Sequence, residues 1–277
     1  MFEARMALLA AHFTLLPLSE AVERLARGAL PARAVCVTFD DGYADNYAIA
    51  APILRRHGVC ATFFVAARYL DGGRMWNDTV IEAVRGATGP SLELSGLGLG
   101  IYSVGSMEAR RRTMHTLLAS IKRRPPPERE EIAEGIRSAA GATMPTGLMM
   151  TREQVRMLRA AGMEIGGHTL SHPILTRLST AEAIREMADG KAELERIIGE
   201  PVVLFAYPNG KPGEDFTSEH VTLARRVGFR AAVTTAWGAA RRTSDLLQLP
   251  RFTPWDRHPT KFALRLILNT RRPSQEV

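Results

Sequence analysis

The sequence predicts an α/β fold built on a parallel sheet, and three observations carry that prediction. Short apolar runs alternate with helical stretches along much of the chain, the pattern of successive β-α units. Capping boxes mark two helix starts and glycines mark helix ends, so the alternation has readable boundaries. The polar clusters able to do chemistry directly follow apolar runs, and a parallel sheet gathers its functional residues at those strand ends. With 277 residues and 45% hydrophobic content, the chain can bury a sizeable core in one large domain or in a domain with an insertion.

Taken in order, a helix begins near Phe2-Glu3-Ala4-Arg5, and residues 6–11 continue it as an amphipathic segment. Glu3 before this segment and His12 after it make a poor signal peptide. Residues 34–37 read as a buried strand ending in Thr38-Phe39-Asp40-Asp41-Gly42. A helix over 45–57 follows, with Arg55, Arg56 and His57 in its last turn and Gly58 to stop it; residues 59–65 then form a strand. Farther on, Thr151-Arg152-Glu153-Gln154 is a capping box that opens a helix closed by Gly162, and residues 163–165 lead as a strand into Gly166-Gly167-His168-Thr169-Leu170-Ser171-His172-Pro173. Ser179-Thr180-Ala181-Glu182 opens a long helix ending near Gly199. A strand at 202–205, a helix to Val227 and a strand at 229–233 complete the alternation.

The formal net charge is +7, and of the 36 basic residues only Lys122, Lys191, Lys211 and Lys261 are lysine. A basic surface favours anionic partners such as nucleotide sugars, lipid-linked phosphates or an acidic membrane face. Nucleic acid is excluded as the expected partner, because zinc-finger spacing, basic blocks with interleaved aromatics and a helix-turn-helix signature are all missing from the sequence. Cys36 and Cys60 are expected as small buried strand residues, with no disulfide framework. No run approaches the ~20 apolar residues that span a bilayer, so the expectation is a soluble, cytoplasmic protein of undetermined oligomeric state.

Two adjacent carboxylates at a strand end are costly unless a cation, a proton or hydrogen bonds compensate them. The His168/His172 loop supplies the complement. One aspartate with two imidazoles is a three-ligand set for a catalytic metal with an open position, and the other aspartate is left to handle protons. A cation so bound keeps net positive charge, lowers the pKa of a water and polarises an amide oxygen. Pro173 disfavours an α conformation at His172, which suits a ligand in a loop.

The Thr-Phe-Asp-Asp-Gly box, the His-Thr-Leu-Ser-His box and a third box, Phe205-Ala206-Tyr207-Pro208-Asn209-Gly210, occur in the order seen in the polysaccharide deacetylase family, also called NodB-homology or carbohydrate esterase 4. The chain resembles that family over about residues 33–255. The resemblance implies a distorted (β/α) barrel and a metal-dependent hydrolysis of an N-acyl group, usually N-acetyl on an amino sugar. It implies Asp41, His168 and His172 as metal ligands and Asp40 as general base. The metal is divalent, zinc first, with cobalt, nickel and manganese as alternatives. It also implies Tyr207, Pro208 and Asn209 at the substrate and oxyanion position, with the Asn209 N–H as donor. Where the family often reads Arg-x-Pro-Tyr, this chain has Ala206-Tyr207-Pro208-Asn209, so the arginine that steadies the catalytic aspartate is absent from its expected place. Arg251, after Leu249-Pro250 at the end of a late apolar run, is the candidate substitute, and His258 the candidate general acid.

The interval between the aspartate and histidine boxes is far longer than in minimal family members. The surplus, residues 71–147, reads as an inserted, mainly helical, cap-like subdomain within a barrel made by 1–70 and 148–277. It contains Trp76, a candidate for sugar stacking along with Trp237 and Trp255, a hairpin near 92–100, a basic helix over 107–124 and a further helix from Glu128 to about Ala140. Family members commonly begin with a strand before the first helix, so one barrel strand is expected to be missing. The expected substrate is an N-acylated amino sugar, nucleotide-linked or lipid-linked, with contact at a membrane surface. Alternatives are a deformylase or amidohydrolase acting on another C–N bond, and a catalytically impaired sugar-binding module.

Overall fold

The computed structural model describes residues 1–253, 255–256, 258–272 and 274–277. The chain opens with α1 (Phe2–His12), β1 (Thr14–Leu15), α2 (Leu18–Ala26) and β2 (Ala34–Val35), with β1 and β2 paired in parallel. Next come β3 (Val37–Phe39), a π-helical turn (Asn46–Ala50), α3 (Ala51–Arg56) and β4 (Ala61–Val65). The predicted helix over 45–57 thus has an irregular start. Pro52 cannot donate an N–H to the preceding turn, and the looser winding falls just before it.

Residues Gly72–Met149 form a compact unit of their own, and Met1–Asp71 with Met150–Val277 form the other. The smaller unit contains α4 (Trp76–Gly86), the antiparallel pair β5 (Ser91–Glu93) and β6 (Ile101–Ser103), α5 (Met107–Ile121) and α6 (Pro126–Ala140). Its core gathers Val80 and Val84 from α4, Leu117 and Ile121 from α5, and Ile132 and Ile136 from α6. One basic residue of α5 is structural, because the Arg110 guanidinium donates to the carbonyls of Val84, Arg85 and Ala87 and satisfies the open end of α4.

In the larger unit the chain continues through α7 (Arg152–Ala160), β7 (Glu164–Gly167), α8 (Thr180–Ile198), β8 (Leu204–Ala206), α9 (Ser218–Val227), β9 (Ala231–Val233) and α10 (Pro259–Asn269). The capping boxes of α7 and α8 form as read, with Thr151 and Gln154 in one and Ser179 and Glu182 in the other. The sheet is a curled parallel half-barrel in the order β3-β4-β7-β8-β9, in keeping with the distorted (β/α) barrel.

Alternation along β4 shows how the half-barrel is filled. Ala61, Phe63 and Val65 enter the core shared with α1, α3, α7, α8 and α9, whereas Phe64 points to the opposite face, covered by Leu18, Val22 and Leu25 of α2. All five β4 residues are therefore buried. The start of α2 is held by the Glu164 carboxylate, which accepts from the Leu18 and Ser19 N–H groups at 2.7 and 3.1 Å and from the Thr62 hydroxyl at 2.7 Å. Gly166 is required beside Phe64, since a Cβ there would lie 2.4 Å from the ring.

Two expectations need correction. The strand around residues 34–39 is half-buried and broken at Cys36, because β2 pairs with β1 while β3 is the edge strand of the main sheet. Cys36 and Cys60 are free and half-buried, each lying just outside a strand. Among the described residues, no helix is long and apolar enough to cross a membrane.

Candidate metal centre

Asp40 and Asp41 follow β3 where its ladder ends. The chain turns at once, with φ of +76° at Asp41 and +92° at Gly42. Backbone bonds pin this turn: Gly42 N–H donates to the Asp40 carbonyl at 3.0 Å, and the Asp41 and Gly42 carbonyls accept from Ala66 and Met150 at 3.3 and 2.9 Å. A left-handed conformation costs a non-glycine residue of order 1 kcal/mol, so the turn exists because its surroundings over-determine it.

β7 delivers His168 to the same edge, where it is buried at 1% exposure. Its Nδ1 lies 2.7 Å from the Ala206 carbonyl oxygen. A carbonyl can only accept, so Nδ1 carries the hydrogen and the neutral ring presents a lone pair at Nε2. That Nε2 is 3.4 Å from Asp41 Oδ1, and His172 Nε2 is 3.3 Å from the same oxygen. One ligand atom from each of the three residues lies within 4.8 Å of the others. Three electron-pair donors facing a common point repel one another unless a cation sits between them, so the donor set fits a divalent metal.

Without a metal, a proton on the imidazole takes the place of the cation and balances the same carboxylates. Burial opposes charging His168, yet the hydrogen bond to Asp41 and the charges of Asp40 and Asp41 raise its pKa. Burial pushes Asp41 upward, and the two histidines outweigh it and hold the carboxyl below its ordinary range.

The histidine loop needs two residues that sequence reasoning missed. Glu186 on α8 accepts from the N–H groups of Leu170 and Ser171 at 3.0 and 2.8 Å and from the Ser171 hydroxyl at 2.6 Å. Gly190, one turn along α8, lies against the loop backbone; a Cβ there would be 2.5 Å from the Thr169 carbonyl carbon. Thr169 and His172 have φ of +60° and +54°, and the Thr169 hydroxyl accepts the His172 N–H at 3.0 Å. In sequence, Glu186 and Gly190 look like any other acid and glycine of a long helix.

Arg251 reaches the cluster from beyond β9. Leu249 bridges to Val233 in parallel, which carries the following residues to the C-terminal edge of the sheet. The guanidinium donates from Nη1 to Asp40 Oδ1 at 2.7 Å and from Nη2 to Oδ2 at 2.8 Å. Nε donates to the Thr234 carbonyl at 2.9 Å and Nη1 also reaches the Thr38 hydroxyl at 3.3 Å, so the fork is itself held in place. Burial raises the pKa of Asp40, but the Arg251 charge and the histidines win and bring it down to about 2. Asp40 therefore stays ionised at any ordinary pH.

At the end of β8, Asn209 turns with φ of +58°, and among the described residues no acceptor takes its N–H. Pro208 is buried beside it. Tyr207 needs correction as a substrate contact, because its side chain is 0% exposed, stacks on Phe216 at 3.9 Å and donates its hydroxyl to the Leu247 carbonyl. It is a core residue. His258 is exposed at the start of α10, with no hydrogen-bond or ion-pair partner at the cluster among the described residues. His220 is no substitute, since it is buried in the capping box of α9. Trp76 packs within the smaller unit, where the Arg129 guanidinium lies 5.1 Å over its ring. Trp237 meets Phe252 edge-on and has Arg272 over its ring, while Trp255 is exposed.

Comparison with known proteins places this geometry in context. A family profile described as polysaccharide deacetylase matches residues 27–92 and 109–232. YxkH of Bacillus subtilis, a protein named after that family, is 24% identical over 219 residues, which is 79% of this chain and 50% of that protein, so the chain spans about half the length of this relative. A peptidoglycan-N-acetylmuramic acid deacetylase of Bacillus subtilis, PdaC, is 38% identical over 65 residues, covering 24% of this chain and 14% of that protein. Among solved structures, the Streptococcus pyogenes deacetylase PplD in complex with acetate superposes with a TM-score of 0.61 at 21% identity, covering 98% of this chain and 86% of that one. IcaB from Ammonifex degensii gives 0.59 at 20% identity, covering 96% and 87%. These structural likenesses concern the fold.

Proposed function

The chain belongs to the polysaccharide deacetylase family, and we propose that it hydrolyses an N-acyl group, acetyl first, from an amino sugar of a glycan or glycan precursor. The observation that carries this reading is the Arg251 fork on Asp40 directly beside the Asp41, His168 and His172 cluster. Asp41 Oδ1, His168 Nε2 and His172 Nε2 would hold a divalent metal, zinc first for a set of two imidazoles and one carboxylate. Bound there, the metal supplies Lewis acidity toward water and the acyl carbonyl.

The chain's own groups do the rest. Asp40, kept ionised and oriented by Arg251, takes a proton from the attacking water as its oxygen adds to the carbonyl carbon. The free Asn209 N–H donates to the carbonyl oxygen as negative charge develops on it, an interaction typically worth about 3 kcal/mol of barrier. The C–N bond then breaks, the acyl group leaves as the carboxylic acid, and the proton taken by Asp40 is at hand for the departing amine.

The test is mass spectrometry on N-acetyl and N-formyl amino sugars, free, nucleotide-linked and lipid-linked, incubated with zinc-loaded protein. Loss of acetyl that disappears in Asp40→Asn, with zinc content unchanged in that variant, is the expected result. Loss of formyl alone would shift the reading to a deformylase. No turnover of any acylated amine above the metal-free background would leave a sugar-binding module.

A further inference from the structure

α10 is fixed to the larger unit along one side. Phe262 is 4% exposed in the core, Leu266 is partly buried against it, and the Asn269 side chain accepts the Gly238 N–H at 3.0 Å and donates to the Gly238 carbonyl at 2.7 Å. Those contacts set the helix's rotation, so its outer side is defined. On that side Leu264, Ile267 and Leu268 are 58%, 51% and 47% exposed. Their i, i+3, i+4 spacing makes one continuous stripe, where a helix of a globular protein ordinarily presents polar side chains.

The charged residues of α10 and of the turn after it have one sign. Lys261 precedes Leu264 by three positions, so a cation continues the stripe at its N-terminal end; Arg265 borders it, and Arg271 and Arg272 follow in the turn just after the helix. No acidic residue occurs between positions 259 and 272. Arg265 pairs with the buried Asp256 at 3.2 Å, and Arg272 lies 4.8 Å over Trp237. Lys261 and Arg271 have no ion-pair partner among the described residues.

We propose that the outer face of α10 docks on an anionic lipid surface, lying in its plane with Leu264, Ile267 and Leu268 among the acyl chains and the flanking cations at the headgroups. An aliphatic centre edged by lysine and arginine is the pattern that such a surface takes up. A second copy of the chain fits less well, because joining two such faces would set like charges against one another. The net charge of +7 acts in the same direction as the local cations. This surface stands apart from the deacetylase reading, since none of its residues belongs to the Asp40 and Asp41 cluster.

The test is sedimentation of the full chain with vesicles of phosphatidylcholine containing phosphatidylglycerol, and with phosphatidylcholine alone. The expected result is binding to the anionic vesicles, weakened by salt, and little to the neutral ones. Removing each free cation should weaken binding about fivefold, and Lys261→Ala with Arg271→Ala together about 30-fold. A Leu264→Ser, Ile267→Ser, Leu268→Ser variant should lose binding while keeping the parent's circular dichroism and zinc content, because these side chains already face solvent. Failure of the parent to sediment with anionic vesicles, or undiminished binding by both variants, would overturn the proposal. So would light scattering that shows a parental dimer dissociated by the triple serine variant, which would assign the face to a second copy.

Discussion

At the scale of single residues, the position of Asp40 depends on a partner 211 residues away. A planar fork fixes both carboxylate oxygens at once, whereas an ammonium fixes one, so the charge of lysine does not replace the geometry of arginine. Arg251→Lys is expected to lower kcat roughly 10- to 100-fold, the usual effect of losing a group that orients a reacting one, with zinc content unchanged. Equal turnover in the lysine variant would show that charge alone suffices. Cys36 offers a separate titration. Burial, then the nearby charge of Glu164, pushes its thiol from the ordinary 9.0 up to about 12. Between those two values the unfolded chain releases this proton and the folded chain keeps it, so stability falls as pH rises through that window. Thermal melts of Cys36→Ser on either side of pH 9.0 should show a smaller loss than the parent.

At the scale of elements, the decisive contact is between the histidine loop and α8. Glycine inside a helix costs about 1 kcal/mol relative to alanine, and Gly190 meets that cost because the Thr169 backbone occupies the space of a side chain. Gly190→Ala should push the loop off the helix and reduce zinc content. Gly199→Ala is the control: its φ is +73° with open space around it, so about 1 kcal/mol of stability is lost and the metal stays. Whether sequence reveals such features depends on how local their causes are. The capping boxes of α7 and α8 are complete within four residues, and the aspartate and histidine boxes each join a strand end to ligand-type side chains. Both kinds are legible. Arg251 could be placed from the apolar run that precedes it. Glu186, Gly190 and the buried ring of Tyr207 take their meaning from segments distant in sequence, and β1 is only two residues long, too short for any periodicity to register.

At the scale of the whole molecule, the chain leaves the larger unit at Asp71 and returns at Met150, and the Asp71 N–H donates to the Met150 carbonyl at 3.1 Å. The two crossing points are thus adjacent, and the smaller unit has a core of its own. Replacing residues 72–149 by a short glycine-serine turn should leave a protein that folds cooperatively and binds zinc; an unfolded product would mean that the larger unit depends on the insertion. The left-handed residues of the site bear on motion. Asp41, Thr169, His172 and Asn209 hold φ of +76°, +60°, +54° and +58°, so the rim is assembled from backbone that would relax if its restraints weakened. Loops of this kind belong to the low-stability end of a native protein and open without global unfolding. A ligand that binds only the closed rim raises the free energy of opening in proportion to the logarithm of its concentration over its dissociation constant. In metal-free protein, amide hydrogen exchange should therefore be fast at residues 40–42, 168–172 and 209–210 and slow along β4. Added zinc should slow the first group selectively, making metal uptake and rim closure one coupled event.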